Sequence, residues 1–371
     1  MHPVLKYVDK LTITFLVDNC IEWMTKLPPG FTHELPQHLQ QDNHGTFDER
    51  KGVPVLDFDR FCCGAHGFAA LIETSLDSEG GKSHLTLFDT GPDSLSLVRN
   101  IDALAVPIEK IHRVITSHWH SDHTGGLLSF LRLRRSKMED ISGASRVDCV
   151  VDVHPNRPIA RGIAPGPSYD NVLCALPPDP TFEVIQQEGG VVEKYSEGHA
   201  VAGNTVWVSG EIPRVTEYEV GILGGMRWVQ DEEATGTGKW VKDGLIIDER
   251  YAAIDVKGKG LVIFSACSHA GNVNVVKDAI EIFKRPIYMV IGGLHLAGPE
   301  FGPRIPMTVD FLAHKLRPSP TYVLPMHCTG FQAKVALETA FGDGCVPAGV
   351  GLKVDITGDE ESERMIFAPT C

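Results

Sequence analysis

The sequence predicts an α/β protein in which short strands alternate with helices. Three apolar segments in the C-terminal half, residues 261–264, 287–291 and 322–324, have the composition of buried strands. A histidine follows each segment within a few residues, and a helical pattern of apolar residues follows the first and the third. Because open α/β architectures place their sites at the carboxyl ends of strands, we expect these histidines to collect at one edge of the sheets.

The N-terminal part of the chain also predicts strands. Residues 11–17 largely alternate between apolar and polar side chains, which is the period of a strand with one face in the core. Segments 67–73 and 85–89 are predicted to form a strand pair joined by a polar turn. Residues 28–57 carry several prolines and histidines and have no apolar period. They predict an inserted loop with solvated histidines, and a lid over the site is one interpretation of it.

The middle of the chain combines regular segments with long connections. A strand is predicted over 111–115, and an amphipathic helix over 127–133 whose cationic end, 132–137, is expected to be solvated. Residues 155–180 are rich in proline and glycine and predict a substrate loop. Residues 229–245 predict a mobile surface excursion.

One hexapeptide concentrates the groups that bind metals. Residues 118–123 read His-Trp-His-Ser-Asp-His, so three imidazoles and one carboxylate follow the predicted strand 111–115. Neutral nitrogen and anionic oxygen donors are what zinc requires. Side chains 118 and 120 point the same way on an extended backbone, whereas 122 and 123 diverge, so the hexapeptide can supply two adjacent metal positions.

The composition limits the class of function. With 371 residues, 43% of them hydrophobic, the chain can bury a large core. Its formal net charge of −14 repels polyphosphate backbones, so a nucleic-acid substrate is disfavoured and a small, uncharged or weakly charged molecule fits better.

The cysteines and the N-terminus predict a cytoplasmic protein without a membrane partner. The nine cysteines are an odd number without regular spacing, and they are expected to be reduced thiols. We find neither the features of a secretion signal nor a stretch of about 20 apolar residues that would span a membrane. The oligomeric state is left open, and a homo-oligomer is compatible with the sequence.

The hexapeptide, with Leu-Phe-Asp-Thr-Gly at 87–91, resembles the metallo-β-lactamase superfamily, whose fold is an αββα sandwich of two mixed sheets flanked by helices. Further segments at 210–214, 266–271, 291–296 and 327–330 resemble the branch named after a dihydropterin phosphate synthase of the methanopterin pathway. This branch also holds fungal lactamases acting on cyclic carbamates. The resemblance runs from about residue 11 to 354 and implies a single domain over residues 1–371.

The resemblance implies two sets of metal ligands. The first set is His118, His120 and His269, and the second set is Asp122, His123 and His327. Three protein ligands and an open position are the catalytic pattern, and zinc is the expected metal, with one or two ions and with manganese or iron as alternatives. Many superfamily members bridge the two metals with an aspartate, but this chain has His295 in that region. The second position is therefore weaker, partly occupied, or completed by His295.

Several residues are expected to support the ligands or to line the pocket. In the resembling family, Asp89 orients the metal-binding turn through hydrogen bonds. Trp119 is expected either to stack on a flat substrate or to be buried behind the turn. His66 and His154 are candidates for the pocket, and Arg214 is the basic residue best placed to hold a phosphate.

These residues predict an enzyme that uses metal-bound hydroxide. A metal lowers the pKa of its bound water from ~15.7 to about 7 and polarises the carbonyl under attack. Asp122 is the predicted catalytic residue, which orients the nucleophile and shuttles its proton. Cys267 and Cys328 lie near the ligands in sequence, but a catalytic thiol is disfavoured because the hydroxide already supplies a nucleophile.

Three functions are compatible with this pattern. The first is a metal-dependent hydrolase that opens a small cyclic amide, carbamate or ester. The second is a carbon–nitrogen bond-forming enzyme like the dihydropterin phosphate synthase. The third is a non-catalytic metal-dependent binding protein, which is disfavoured because the ligand set is complete.

Overall fold

Two mixed β-sheets pack face to face and carry helices on their outer faces. The computed structural model describes residues 5–40, 47–139, 148–231 and 237–371. Within these residues, eight strands form the first sheet, six form the second, four form a smaller sheet and two form a hairpin.

In chain order the strands are β1 (Lys10–Val17), β2 (Phe31–Thr32), β3 (Phe47–Asp48), β4 (Val53–Pro54), β5 (Ala69–Ser75), β6 (Ser83–Phe88), β7 (Ile111–Ile115), β8 (Cys149–Val153), β9 (Arg161–Ile163), β10 (Cys174–Ala175), β11 (Gly190–Lys194), β12 (His199–Val201), β13 (Val206–Val208), β14 (Gly225–Gln230), β15 (Gly238–Lys242), β16 (Ala252–Val256), β17 (Gly260–Ser265), β18 (Ile287–Gly292), β19 (Tyr322–Pro325) and β20 (Lys353–Thr357). The α-helices are α1 (Glu34–Gln40), α2 (Ser96–Ala103), α3 (Ser121–Thr124), α4 (Leu127–Glu139), α5 (Phe182–Gln187), α6 (Asn272–Phe283), α7 (Gly298–Phe301), α8 (Ile305–Asp310), α9 (Phe331–Phe341) and α10 (Glu360–Glu363). Short 3₁₀ helices cover Phe58–Arg60, Asp77–Glu79, Ile108–Lys110, Gly302–Arg304 and Gly342–Gly344, and a π-helical turn covers Phe311–Lys315.

The first sheet has the spatial order β11-β8-β7-β6-β5-β1-β20-β2, and the second has the order β12-β13-β16-β17-β18-β19. Strands β6, β7, β8 and β11 run parallel, and so do β17, β18 and β19. The remaining neighbours in both sheets are antiparallel. The predicted mixed αββα sandwich is therefore confirmed.

The alternation of side chains along the strands explains the layers. In β1, Leu11, Ile13 and Phe15 face the second sheet and join its residues in the central core. In β17, alternate residues do the same from the other side, as Val262 and Phe264 lie in that core. Because successive side chains of a strand point to opposite faces, the intervening residues contact the helices instead.

Each sheet covers its second face with helices. Helices α2 and α4 pack on the first sheet, and helices α6 and α9 pack on the second. In α4, Leu127, Phe130 and Leu131 are the buried apolar residues, at the three- and four-residue spacing expected of an amphipathic helix. The predicted helix at 127–133 and the predicted strand at 111–115 are both present in the structure.

Residues 28–57 contain more regular structure than the sequence predicts. Phe31 in β2 pairs with β20 in the first sheet, helix α1 follows, and β3 and β4 form a hairpin. The expectation of solvated histidines is wrong for His38, which is 4% exposed and places Nε2 3.0 Å from Glu34 Oε1. Both residues lie on one face of α1 because they are four positions apart. His44 lies outside the described residues.

The expected surface excursion at 229–245 is likewise structured where it is described. Strands β14 and β15 form an antiparallel pair within the smaller sheet β10-β9-β14-β15. Trp228 lies opposite Trp240, with 5.4 Å between ring centroids, and such a cross-strand aromatic pair stabilises a hairpin. Strands β9 and β10 come from the predicted substrate loop, 155–180.

The cationic end of α4 is only partly solvated. Arg134 is 6% exposed, and its Nε donates to the carbonyl oxygen of Ile111. Arg132 and Arg135 both donate to the carboxylate of Glu188. In the ranges that the structure covers, no helix combines the length and apolar character needed to cross a bilayer.

Candidate metal centre

The candidate site lies at the edge where strands of both sheets end. The hexapeptide 118–123 follows β7, and its second half forms the one-turn helix α3. His269, His295 and His327 follow β17, β18 and β19 respectively. The parallel course of these three strands delivers their carboxyl ends to the same edge, as the sequence predicts.

Three imidazoles form the first donor group, His118, His120 and His269. His118 Nε2 lies 3.0 Å from His120 Nδ1, and His269 Nε2 lies 3.2 Å from each of them. Zinc–nitrogen bonds of about 2.0–2.1 Å in tetrahedral geometry place neighbouring ligand atoms about 3.3 Å apart. The three nitrogens are therefore spaced to hold one divalent ion.

The second donor group is Asp122, His123 and His327. Asp122 Oδ2 lies 3.5 Å from His123 Nε2 and 3.3 Å from His327 Nε2. The sulfur of Cys267 joins this group, since its Sγ lies 3.1 Å from His123 Nε2. Cys267 was not predicted as a ligand.

His295 lies beside these groups and belongs to neither. Its ring packs on His269 with 4.6 Å between centroids, and its potential ligand atom clusters with the sulfurs of Cys267 and Cys328. The sulfur of Cys267 is common to this cluster and to the second donor group.

Burial and neighbouring charges prepare the donors for a cation. Burial lowers the pKa of His120 to about 3 and holds the pKa values of His118 and His269 well below the usual range. These imidazoles are neutral at pH 7, as ligands must be. Burial also opposes ionisation of Asp122, but His123 and the other imidazoles outweigh it and lower its pKa. Burial opposes protonation of His123, but the carboxylates of Asp122 and Asp89 raise its pKa to about 9. A cation between these groups would replace that proton.

Asp89 holds the hexapeptide from behind. Its Oδ1 accepts from the Ser117 backbone N at 2.6 Å, and its Oδ2 accepts from Ser117 Oγ at 2.7 Å and from His123 Nδ1 at 2.8 Å. Ser117 Oγ also contacts His118 Nδ1 at 2.8 Å. Both histidines are thus anchored through Nδ1 and turn Nε2 toward the donor groups, which is the orienting role expected of Asp89.

The segment 248–250 was not predicted and contacts both halves of the site. Asp248 Oδ2 accepts from the Trp119 backbone N, and Glu249 accepts from the backbone N of His269 and Ala270, each at 2.7 Å. Arg250 Nη2 donates to the carbonyl oxygen of Thr116 at 2.6 Å. All three side chains are buried. A run of three charges before an apolar strand is the available sequence signal, and it is equally typical of an exposed turn.

A second group of residues outside the hexapeptide positions His327. Asp18 Oδ1 accepts from its backbone N, and Asn19 Oδ1 lies 3.3 Å from its Nδ1. Both residues follow β1, so the first sheet orients a ligand that the second sheet supplies. The local sequence around residue 18 does not predict this contact.

The four residues expected in the pocket have different surroundings. Trp119 is fully buried, and its Nε1 donates to the carbonyl oxygen of His154, so the indole lies behind the turn and not on a substrate surface. His154 is itself buried, with Nδ1 accepting from the backbone N of Asn156. Arg214 uses Nη1 and Nη2 for the carbonyl oxygens of Ile212 and Leu245.

His66 differs from the other three, because its side chain is 69% exposed and its Nε2 lies 4.0 Å from Asp122 Oδ2. Its Nδ1 accepts from Asn19 Nδ2 at 3.0 Å. The imidazole is therefore held beside the second donor group and faces solvent.

Four positions around the site have backbone conformations that L-residues rarely adopt. Asp89, Ser268, His295 and His327 have φ values of 60°, 57°, 48° and 45°. Each follows the end of a strand, and non-glycine residues in this region cost of order 1 kcal/mol each. Such a cluster is typical of a site whose side chains are aimed by the surrounding structure.

The sequence of this chain is similar to those of known proteins. Residues 67–135 match the family model of the metallo-β-lactamase superfamily. The chain is 28% identical over 281 residues to the 7,8-dihydropterin-6-methyl-4-(beta-D-ribofuranosyl)-aminobenzene-5'-phosphate synthase of Methanocaldococcus jannaschii, covering 72% of this chain and 82% of the relative. It is 27% identical over 275 residues to an uncharacterized protein of the same organism, covering 74% of this chain and 87% of that protein.

A solved structure extends the similarity to the fold. The crystal structure of Tm1679, a metal-dependent hydrolase of the beta-lactamase superfamily, matches with a TM-score of 0.60 at 21% identity. The match covers 94% of this chain and 99% of that chain. The resemblance recognised in the sequence is therefore confirmed: residues 67–135 match the metallo-β-lactamase superfamily model, and the described residues share the fold of this solved protein.

Proposed function

We propose that this protein is a metal-dependent hydrolase that opens a small cyclic amide, carbamate or ester. The observation that carries the proposal is the pairing of two donor groups at one edge of the sandwich, with one accessible side. Of the six ligands in the two groups, His120 and Asp122 are partly exposed and the other four are buried. A substrate would approach from the side of these two residues.

The donor sets fit divalent ions in charge, spacing and chemical type, and zinc is bound in proteins by both imidazole and carboxylate ligands. When bound, such an ion lowers the pKa of a water ligand and polarises the carbonyl under attack. Asp122 accepts a proton from the nucleophilic water and passes it to the leaving group, because its carboxylate is ionised and partly exposed. His66 is placed to contact the substrate at the mouth of the site.

The charges near the site favour a small substrate without phosphate. Arg161 is buried and donates to the carboxylates of Asp243 and Asp248, so its charge is already paired. Both terminal nitrogens of Arg214 donate to backbone carbonyl oxygens. Together with the net charge of −14, these contacts leave little positive potential for a nucleic acid.

The second candidate is a carbon–nitrogen bond-forming activity on a phosphorylated pterin precursor. The relative named as a dihydropterin phosphate synthase favours it. This activity requires a cationic site for the phosphate, and Arg214 would have to release the carbonyl oxygens of Ile212 and Leu245 to provide one.

A comparison of specificity constants tests the proposal. The chain is purified without chelator and reconstituted with zinc, manganese or iron. It is then assayed separately on a panel of lactams, cyclic carbamates and lactones, on a phosphorylated pterin and on single-stranded RNA. We expect kcat/KM to be highest for one of the cyclic amides, carbamates or esters and turnover to be lost in His120→Ala. A higher kcat/KM for the pterin would transfer the assignment to the second candidate, and tight binding without turnover would indicate a binding protein.

A further inference from the structure

We propose that the thiolate of Cys267 is a fourth protein ligand at the second donor group. The two metal positions would then differ in chemistry, because the first is made of imidazoles alone. The proposal depends on the donor groups and is independent of the substrate class.

The distances place the sulfur beside the donor atoms of the second group. Cys267 Sγ lies 3.1 Å from His123 Nε2, and the donor atoms of all four residues lie within 4.8 Å of one another. Zinc bonds of about 2.3 Å to sulfur and about 2.0–2.1 Å to nitrogen, in tetrahedral geometry, separate the two atoms by about 3.5 Å. The observed separation needs only a small adjustment to reach this value.

A nitrogen without a hydrogen-bond partner points to an ion at the second donor group. The side chain of His327 is fully buried, and its Nε2 has no hydrogen-bond partner among the described residues, although Asp122 Oδ2 lies 3.3 Å away. Its Nδ1 and backbone N face Asn19 and Asp18, so the ring is held in this orientation. A buried nitrogen without a partner costs about 1–3 kcal/mol, and an ion at the centre of the group would remove that cost.

The neighbouring thiol provides a matched comparison. Cys328 Sγ lies 3.5 Å from the carbonyl oxygen of Cys267 and clusters with His295, outside the second donor group. A Cβ atom at Gly293 would lie 2.4 Å from this sulfur, so the glycine leaves room for it behind the site. The two sulfurs are therefore close together, but only that of Cys267 clusters with the ligand atoms of Asp122, His123 and His327.

A thiolate ligand has two consequences. Sulfur favours zinc or iron over manganese and magnesium at the position it occupies. Four protein ligands are the pattern of a closed zinc site, whereas the three of the first donor group leave a position open. Binding of the ion displaces the Cys267 thiol proton to solvent, and the sulfur–metal bond replaces the sulfur–hydrogen bond.

Cobalt substitution tests the ligand directly, because thiolate-to-cobalt charge transfer absorbs in the near ultraviolet and imidazole ligands do not produce it. We expect the wild-type chain and Cys328→Ser to bind about two Co²⁺ ions with this band. Cys267→Ser is expected to lose the band and to bind its second ion more weakly, because Asp122, His123 and His327 remain. A band that persists in Cys267→Ser, or that disappears in Cys328→Ser alone, would overturn the proposal.

X-ray absorption on the zinc-loaded wild-type chain gives a reading that needs no variant to fold. One sulfur ligand in a chain that holds two zinc ions predicts an average of about half a sulfur per zinc, at about 2.3 Å. Absence of sulfur scattering in a chain that holds two zinc ions would refute the assignment. A chain that fails to hydrolyse any cyclic substrate would refute the proposed function and leave this result unaffected.

Discussion

Replacement of Asp89 by asparagine tests how the hexapeptide is held. The change preserves volume and removes the charge, but an amide has one acceptor oxygen where the carboxylate has two. If the amide nitrogen takes the Oδ1 position, it meets the backbone N–H of Ser117. If it takes the Oδ2 position, it meets His123 Nδ1 and donates to it, and the ring proton must then move to Nε2. A protonated Nε2 cannot bind a metal.

Both orientations carry a cost that the structure allows us to estimate. A lost charge-assisted hydrogen bond to the buried carboxylate costs about 1.5–3 kcal/mol of stability. Loss of an orienting partner of a ligating histidine lowers metal affinity about 10- to 100-fold, or about 1.4–2.7 kcal/mol. We expect the second donor group to lose more affinity than the first, because His123 contacts Asp89 directly and His118 contacts it through Ser117.

The assay is competition between the chain and a zinc chelator, followed by elemental analysis, with urea unfolding in parallel. Asp278→Asn is the control, because Asp278 lies on helix α6, outside the donor groups, and accepts a hydrogen bond from Tyr251. It is expected to lower the free energy of unfolding without changing zinc affinity. If Asp89→Asn retains two ions at wild-type affinity, the orienting role of this carboxylate is refuted.

Three further outcomes are expected. Trp119→Phe is expected to lower the free energy of unfolding by about 1–3 kcal/mol, because it leaves the buried carbonyl oxygen of His154 without its donor. The variant is expected to leave KM unchanged. A changed KM would indicate that the indole contacts the substrate. Gly126→Ala is expected to lower the free energy of unfolding by about 1–3 kcal/mol in thermal unfolding, because the new Cβ would lie 2.1 Å from the carbonyl oxygen of Thr90. Gly302→Ala is the control and is expected to be neutral, because its Cβ would have no neighbour within 4 Å. Equal effects of the two variants would contradict this account. Burial raises the pKa of Glu249 from 4.5 to about 7, so in the metal-free chain its contribution to stability is full below pH 4.5 and is lost as pH rises through 7. Relative to Glu249→Gln, the metal-free wild type is expected to lose about 3 kcal/mol between pH 4.5 and 8 in urea unfolding, and parallel pH profiles would show that Glu249 stays charged.

The clustering of these donor side chains could be predicted because most of them are close together in the sequence. His118, His120, Asp122 and His123 lie within one turn after a strand, and a short-range pattern is enough to group them. His269 and His327 could be added because each follows a parallel strand. The strand and helix periods that position them also depend on neighbours in sequence.

The contacts that orient the ligands could not be predicted in the same way. Asp248 bonds to Trp119 across 129 positions, and Asp18 bonds to His327 across 309. No short-range pattern encodes such pairs, since they exist only once the two sheets have packed. Whether Trp119 turned toward the pocket or the core depended on the same packing, because the anchor of its backbone lies on the distant segment 248–250. The position of Cys267 beside the second donor group was missed because its place in the sequence, two residues before His269, is equally suited to a buried thiol.

Each donor group combines residues from both sheets, so an ion bound there would link the two sheets. The hexapeptide extends from the first sheet, whereas His269 and His327 extend from the second. An ion that binds only when the sheets are docked stabilises that docking, by about 4 kcal/mol at a free concentration 1,000-fold above its dissociation constant. The folded fraction of the chain would therefore follow the metal supply. Chains without bound metal would open first at the edge that carries the donor groups.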